Sequence, residues 1–151
     1  MHQNAQLLEQ LYKALSVHEH QEMSNCYLPE ARFTDIAFRL TGKREIAAMW
    51  QLVCDTDIRT TVHSIFADDD SGEARILDVY TFRETKRKVR NEIISRFQFR
   101  DGLIEEHHDQ CDPLVWARQA LGGLKGELVG RMGFLRRWAA RKKLRPYLES
   151  L

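Results

Sequence analysis

The chain has few of the residues that staple or anchor small proteins. Its three cysteines, Cys26, Cys54 and Cys111, are odd in number and far apart. That argues against a disulfide framework and for a reducing compartment. No pair reads Cys-x-x-Cys, so a zinc ribbon or a thioredoxin-type centre is not supported. No apolar run approaches the length of a membrane span, and neither internal repeats nor low-complexity segments occur. The opening Met1-His2-Gln3-Asn4 lacks a basic region followed by an apolar one, so no signal peptide is expected and the chain reads as cytoplasmic. At 151 residues, 43% hydrophobic and 30% charged, it has the composition of a soluble globular protein with a single core.

A large excess of charge is also missing, since the net value is +1. That balance conceals an asymmetry. Residues 113–151 carry nine Lys/Arg against Glu127 and Glu149, or +7, which leaves −6 on residues 1–112. Such a division speaks about partners or packing rather than fold.

The hydrophobic pattern switches period along the chain. Leu7, Leu8, Leu11, Tyr12 and Leu15 repeat at helical spacing. A short second helix is expected over 21–27, closed by Pro29, and a short strand over 31–38. Thr41-Gly42-Lys43-Arg44-Glu45 starts a third helix, with Ile46, Met49, Trp50 and Val53 as its apolar stripe. Strands are then expected over 59–67, 75–83 and 89–100, with a turn at Asp68-Asp69-Asp70-Ser71-Gly72 and a polar hairpin tip at Glu84-Thr85-Lys86-Arg87. Helices first and then sequential hairpins make an α+β domain with an antiparallel meander. A helical turn or two follows Pro113 and stops at Gly122-Gly123. A basic amphipathic helix is expected over 128–144, with Leu128, Met132, Leu135 and Ala139 on one side and Phe134 and Trp138 beside them.

The densest chemistry lies in the final strand. Asp101-Gly102 tolerates the positive φ of a hairpin, and Asp112-Pro113 halts the strand. Alternation puts His107, Asp109 and Cys111 on one side, His108 and Gln110 on the other. An imidazole beside a carboxylate is either a solvated surface or the floor of a polar site. Metal binding by His107, Asp109 and His63 is a weak signal, because only two ligands share a strand and no helical His-x-x-x-His occurs. Cys111 has no clear activating neighbour beyond His107 or Asp109 and reads as a small core residue.

The order helix, helix, strand with an Asp, helix, long meander resembles the nuclear transport factor 2-like superfamily, and within it the SnoaL-like polyketide cyclase and ketosteroid isomerase relatives. Ala31-Arg32-Phe33-Thr34-Asp35, Thr41-Gly42-Lys43-Arg44-Glu45-Ile46, and Asp101-Gly102-Leu103-Ile104 with His107-His108-Asp109 carry the resemblance. It implies a bent sheet wrapped against helices into a cone over residues 1–121, with 122–151 a basic helical extension. It also implies a pocket in the concave face, and a homodimer formed through the outer face of the sheet. Asp35 stands where isomerases of the family keep their general base, and Asp109 where the cyclases keep an acid on the last strand. The isomerases' oxyanion donors do not carry over: Leu11 stands where a tyrosine is expected, with Tyr12 one position off, and Ser95 where a protonated acid is expected. The epoxide-hydrolase branch needs an Arg two residues before an Asp, whereas Arg75 precedes Asp78 by three.

The expectation is a small-molecule site with Asp35, Asp109 and His107 as catalytic candidates and Asp78, Tyr80, Phe82, Trp50, Ser95 and Phe97 as its lining. Its ligand would be apolar and carbonyl-bearing, and neither an organic cofactor nor a metal is required. The bland alternatives are a capping role for Asp35, a merely satisfied His107–Asp109 pair, and core positions for Tyr80, Phe82 and Trp50. The rival function is a non-catalytic ligand-binding or interaction module. For the tail, packing on its own acidic domain or on a second subunit is favoured over an anionic membrane surface, and nucleic acid is disfavoured because no basic strand face interleaved with aromatics occurs.

Overall fold

The computed structural model describes residues 1–150. Helices α1 (Gln3–Ser16) and α2 (His20–Ser24) lead into β1 (Tyr27–Thr34) and β2 (Arg39–Thr41). Helix α3 (Lys43–Cys54) precedes the strands β3 (Arg59–Ala67), β4 (Ser71–Phe82), β5 (Arg87–Arg100) and β6 (Leu103–Gln110). Three helices close the chain: α4 (Pro113–Ala120), α5 (Gly123–Arg131) and α6 (Gly133–Glu149). The six strands form one open sheet in the order β2-β1-β6-β5-β4-β3.

Period-2 patterning builds the long strands. On β5, Val89, Asn91, Ile93, Ser95, Phe97 and Phe99 are buried, while Arg90, Glu92, Arg96, Gln98 and Arg100 alternate outward or half-buried Ile94 intervenes. Register shifts between Val62 and Ser64, between Gln98 and Phe99, and between Tyr27 and Arg32 are bulges of the kind that bend a sheet. The Asp101-Gly102 hairpin forms as read, both residues having positive φ (55° and 75°). The apolar faces of α1 (Leu8, Leu11, Leu15) and α3 (Ile46, Met49, Trp50) complete one core with Phe33, Phe97, Phe99 and Ile104.

Four local expectations change. The sheet is mixed, because β1 pairs parallel with β6 while every other pairing is antiparallel. Pro29 does not terminate a helix. It lies within β1, inside the register shift between Tyr27 and Arg32, where a missing N–H is tolerated. Asp35 falls one residue beyond β1, in the turn to β2. The basic tail is two helices, broken at Met132, whose backbone is extended (φ −117°, ψ 95°).

Helix α5, before the break, is seated closely on α4. A Cβ on Gly126 would sit 2.9 Å from the carbonyl oxygen of Ala117, and one on Gly130 3.0 Å from Cα of Leu114. Both glycines therefore let α5 lie directly on α4. Helix α6 then turns a different stripe inward from the one expected, with Ala140 and Leu144 buried and Tyr147 and Leu148 packed on the core. The spacing i, i+4, i+7, i+8 of these residues is helical. It becomes visible only once the helix is extended beyond residue 144.

Candidate functional site

The inner face of the sheet is apolar at one end and polar at the other. Near the apolar end His107 is 2% exposed and walled by aromatic rings, with the Phe97 centroid at 4.3 Å and that of Phe33 at 4.8 Å. Trp50 stacks at 6.3 Å and is itself 5% exposed. Trp50 and Phe97 thus pack the core behind the imidazole.

A buried imidazole needs partners for both nitrogens, and both are supplied. Trp50 Nε1–H donates to the Tyr27 hydroxyl at 3.2 Å. Indole is only a donor, so the Tyr27 oxygen accepts there, and the same hydroxyl meets His107 Nδ1 at 2.8 Å. An ionised carboxylate only accepts, so His107 Nε2–H donates to Asp109 Oδ1 at 2.7 Å. Ser95 Oγ donates to the same oxygen at 2.6 Å, from the position directly across the strand pair. Burial opposes ionisation of Asp109, but the facing His107 and the bonds from His107 and Ser95 outweigh it and hold the carboxyl below its ordinary range. Among the described residues, Asp109 Oδ2 accepts no hydrogen bond.

Two further carboxyls feel the charge of Asp109. Asp35 Oδ1 accepts from the backbone N–H of Ala37 at 2.7 Å and Phe38 at 2.6 Å, an Asx-type turn, so its capping role is real. Burial nevertheless pushes its carboxyl up to about 6, against those two bonds and with help from Asp109. Asp78 Oδ1 accepts from Thr60 Oγ1 at 2.6 Å. Burial, against the Thr60 bond and reinforced by Asp109, drives it up to about 7. Three neighbouring carboxyls therefore differ in proton affinity, one held ionised and two inclined to keep a proton.

Sequence reasoning set Tyr12 aside as one position off, yet it joins this group. Its hydroxyl is buried without a hydrogen-bond partner among the described residues. Burial, with the charges of Asp109 and Asp78, raises its pKa well above the ordinary value, while Ser95 opposes the rise. The only sequence signal was its place on the apolar stripe of α1, since the direction of the hydroxyl depends on strands far along the chain.

Tyr80, Phe82 and the tail form the roof. Trp116 Nε1–H donates to the Tyr80 hydroxyl at 2.6 Å, and its ring meets Phe82 edge-on at 5.6 Å. Lys143 Nζ sits 4.1 Å from the Phe82 centroid and 2.6 Å from Glu84. Arg136 donates from Nε to the Ile36 carbonyl at 2.8 Å and from one Nη to the carbonyls of Val129 and Gly130. Burial and the neighbouring Arg137 lower its pKa, while Cys111 and Asp35 act the other way. Half-buried Cys111 accepts from Asn91 Nδ2 at 3.5 Å, and burial pushes its thiol up to about 11.

Several other residues lie elsewhere. His63 is exposed on the edge strand β3, and among the described residues no group of three metal-ligating side chains forms. Ile76, two residues before Asp78, is buried, whereas Arg75 points outward to Glu73, so no strand arginine stands beside Asp78. A depression of about 460 Å³ lies over β1, β5 and β6, lined by Arg32, Thr34, Arg96, Gln98, Glu106 and His108 and also by Phe97 and His107. Its exposed lining, Arg32, Arg96, Gln98 and His108, belongs to the outer face of the sheet, and neither Asp35, Asp78 nor Asp109 lines it. No helix among the described residues is long and apolar enough to cross a membrane.

Comparison with solved structures places this architecture. An LEH-like epoxide hydrolase of M. tuberculosis superposes with a TM-score of 0.66 at 18% identity, over 88% of this chain and 95% of that one. An NTF2-like protein of Burkholderia pseudomallei gives 0.72 at 15% identity, over 80% and 99%. A Catenulispora acidiphila protein with a ketosteroid isomerase-like fold, in complex with trimethylamine, gives 0.67 at 10% identity, over 76% and 91%. At such identities the likeness is one of fold. No curated protein matches the chain. Residues 8–107 match the sequence pattern of the SnoaL-like domain, which stops short of Asp109 and of the tail. The chain therefore belongs to the SnoaL-like domain family of the NTF2-like superfamily.

Proposed function

We propose that the polar end of the cone binds a mostly apolar, carbonyl-bearing small molecule and moves a proton at the carbon next to that carbonyl. The observation that carries this reading is the division of labour among Asp35, Asp78 and Asp109. A useful general base has a pKa near the working pH. Asp35, near 6, is mostly ionised at neutrality yet far more basic than a solvated carboxylate. Asp78, near 7, retains a proton much of the time and is a donor for the substrate oxygen. The unpartnered Tyr12 hydroxyl is a second donor. Asp109, locked to His107 and Ser95, is a fixed negative charge that keeps its neighbours basic.

In this scheme the C–H electron pair moves into the enol while Asp35 takes the proton. Asp78 and Tyr12 stabilise the oxygen, and Asp35 returns the proton to a different carbon. The net change is an isomerisation that needs no co-reactant. The fold-level likeness to isomerase-like proteins is consistent with this and does not specify a substrate.

The test offers the purified protein a set of β,γ-unsaturated ketones and follows formation of the conjugated enone by ultraviolet absorbance. Asp35→Asn should reduce turnover by about 10²-fold or more. Tyr12→Phe should lower turnover while leaving thermal stability unchanged or raised, because it removes an unsatisfied buried hydroxyl. Turnover unaffected by Asp35→Asn would refute the assignment. A second reading, a non-catalytic module, draws on the Tyr80–Trp116 hydrogen bond that closes the roof. Side-chain titrations of Asp35 and Asp78 near the ordinary 3.8 would favour it.

A further inference from the structure

The tail helices have two sides, and only one is accounted for by the domain beneath. Toward the domain, Ala140 and Leu144 are buried, Tyr147 donates to Asp55 Oδ2 at 2.6 Å and Arg141 pairs with Glu45 at 2.8 Å. On the other side Leu124 is 85% and Leu128 52% exposed on α5, Phe134 58% and Trp138 66% on α6. Each pair is spaced i, i+4 and so shares one helix face. Around them exposed Lys125, Lys142 and Arg145 have no acidic partner among the described residues, and Lys142 Nζ lies 5.4 Å from the Trp138 ring centroid.

Exposed leucines and aromatics ringed by free cations narrow the kind of partner. A second copy meeting this patch through a two-fold axis would set the +7 segment against itself. A nucleic acid would neutralise the cations but leave Leu124, Leu128 and Phe134 in water. An anionic phospholipid surface satisfies both sets. Apolar side chains enter the boundary between headgroups and acyl chains, tryptophan sits at the interface, and Lys and Arg reach the headgroup phosphates. We propose that the outer face of α5 and α6 docks the protein peripherally on an anionic phospholipid bilayer. This does not rest on the chemistry of the carboxyl cluster and holds even if that cluster is not catalytic.

Vesicle binding of the full chain tests it. Vesicles of phosphatidylcholine alone are compared with vesicles containing about one third phosphatidylglycerol, by co-sedimentation and tryptophan emission. Trp50 is buried and Trp116 half-buried, so a blue shift on binding reports Trp138. Binding is expected only to the anionic vesicles and should weaken as salt screens the headgroups. The double variant Phe134→Ser, Trp138→Ser, at exposed positions where the fold is kept, should lower the partition coefficient by about tenfold or more. Circular dichroism checks that fold. No partition at low salt, or equal partition of the double variant, would overturn the proposal. So would a dimer mass that the double variant abolishes, which assigns the face to a second copy. DNA binding as tight as vesicle binding and indifferent to both substitutions would overturn it in favour of nucleic acid.

Discussion

Replacing Asp78 by asparagine should flatten the dependence of stability on pH. The carboxyl rises from an ordinary 3.8 to about 7, chiefly through burial. An acid that holds its proton more tightly when folded than when unfolded loses stability as pH rises. Below 3.8 both states are protonated. Between 3.8 and about 7 the unfolded chain ionises while the folded one resists, and above about 7 the whole difference is gone. This is the reverse of an ion-paired carboxylate. At about 1.4 kcal/mol for each tenfold of proton affinity the full rise is worth about 4 kcal/mol, and the partial solvent access of Asp78 reduces it to about 2–4 kcal/mol. Between about pH 5 and pH 8 the contribution lost is about 2 kcal/mol. Asparagine keeps the size of the side chain and the acceptor for Thr60 Oγ1, so it removes the charge and little else. Urea denaturation followed by circular dichroism across that range should show a steep fall for the wild type and a shallower one for the variant. Asp35, whose own loss ends near 6, still contributes to both. Parallel curves for the two proteins would refute the buried, proton-retaining Asp78.

Two further outcomes follow from the geometry. Tyr27→Phe strands Trp50 Nε1 and His107 Nδ1 in the core and should cost about 1–3 kcal/mol, read as a lower urea midpoint; an unchanged midpoint would mean that the bonds are not formed. Asp112→Ala removes the cap that accepts from Leu114 and Val115 N–H at 2.9 and 3.3 Å. It should cost about 1 kcal/mol and expose Trp116 to acrylamide quenching, whereas quenching as in the wild type would show that the roof does not depend on that cap.

What was legible in the sequence was whatever local periodicity governs. The alternation along β5 and the Asp-Gly hairpin announce themselves, and with them the shared face of His107 and Asp109. Asp35 was legible as a polar residue after Phe33, but its turn bonds to Ala37 and Phe38 were not, because they depend on how the chain closes back to β2. Tyr12 looked like one more apolar residue of α1, and only the placement of Ser95 and Asp109 turns it into a polar group at the site. Arg136 is one of nine cations in the tail. Its bond to the Ile36 carbonyl joins positions 100 residues apart, and the glycines that seat α5 on α4 take their meaning only from what α4 presents to them. Side-chain chemistry set by distant elements is what a single sequence hides.

The parallel pairing of β1 with β6 has a consequence for the order of assembly. Tyr27 and His107 are 80 residues apart in the chain, and β1 has no neighbour in the sheet other than short β2 until β6 arrives. Contacts of such long separation carry a larger loop-closure cost than the hairpins of the β3–β5 meander. During synthesis the first hundred residues hold α1, α3 and the β3–β5 meander but lack the strand that ties β1 to them. The strand that brings His107 and Asp109 is thus the one that completes the sheet, so the chemical group and the finished fold come into being together.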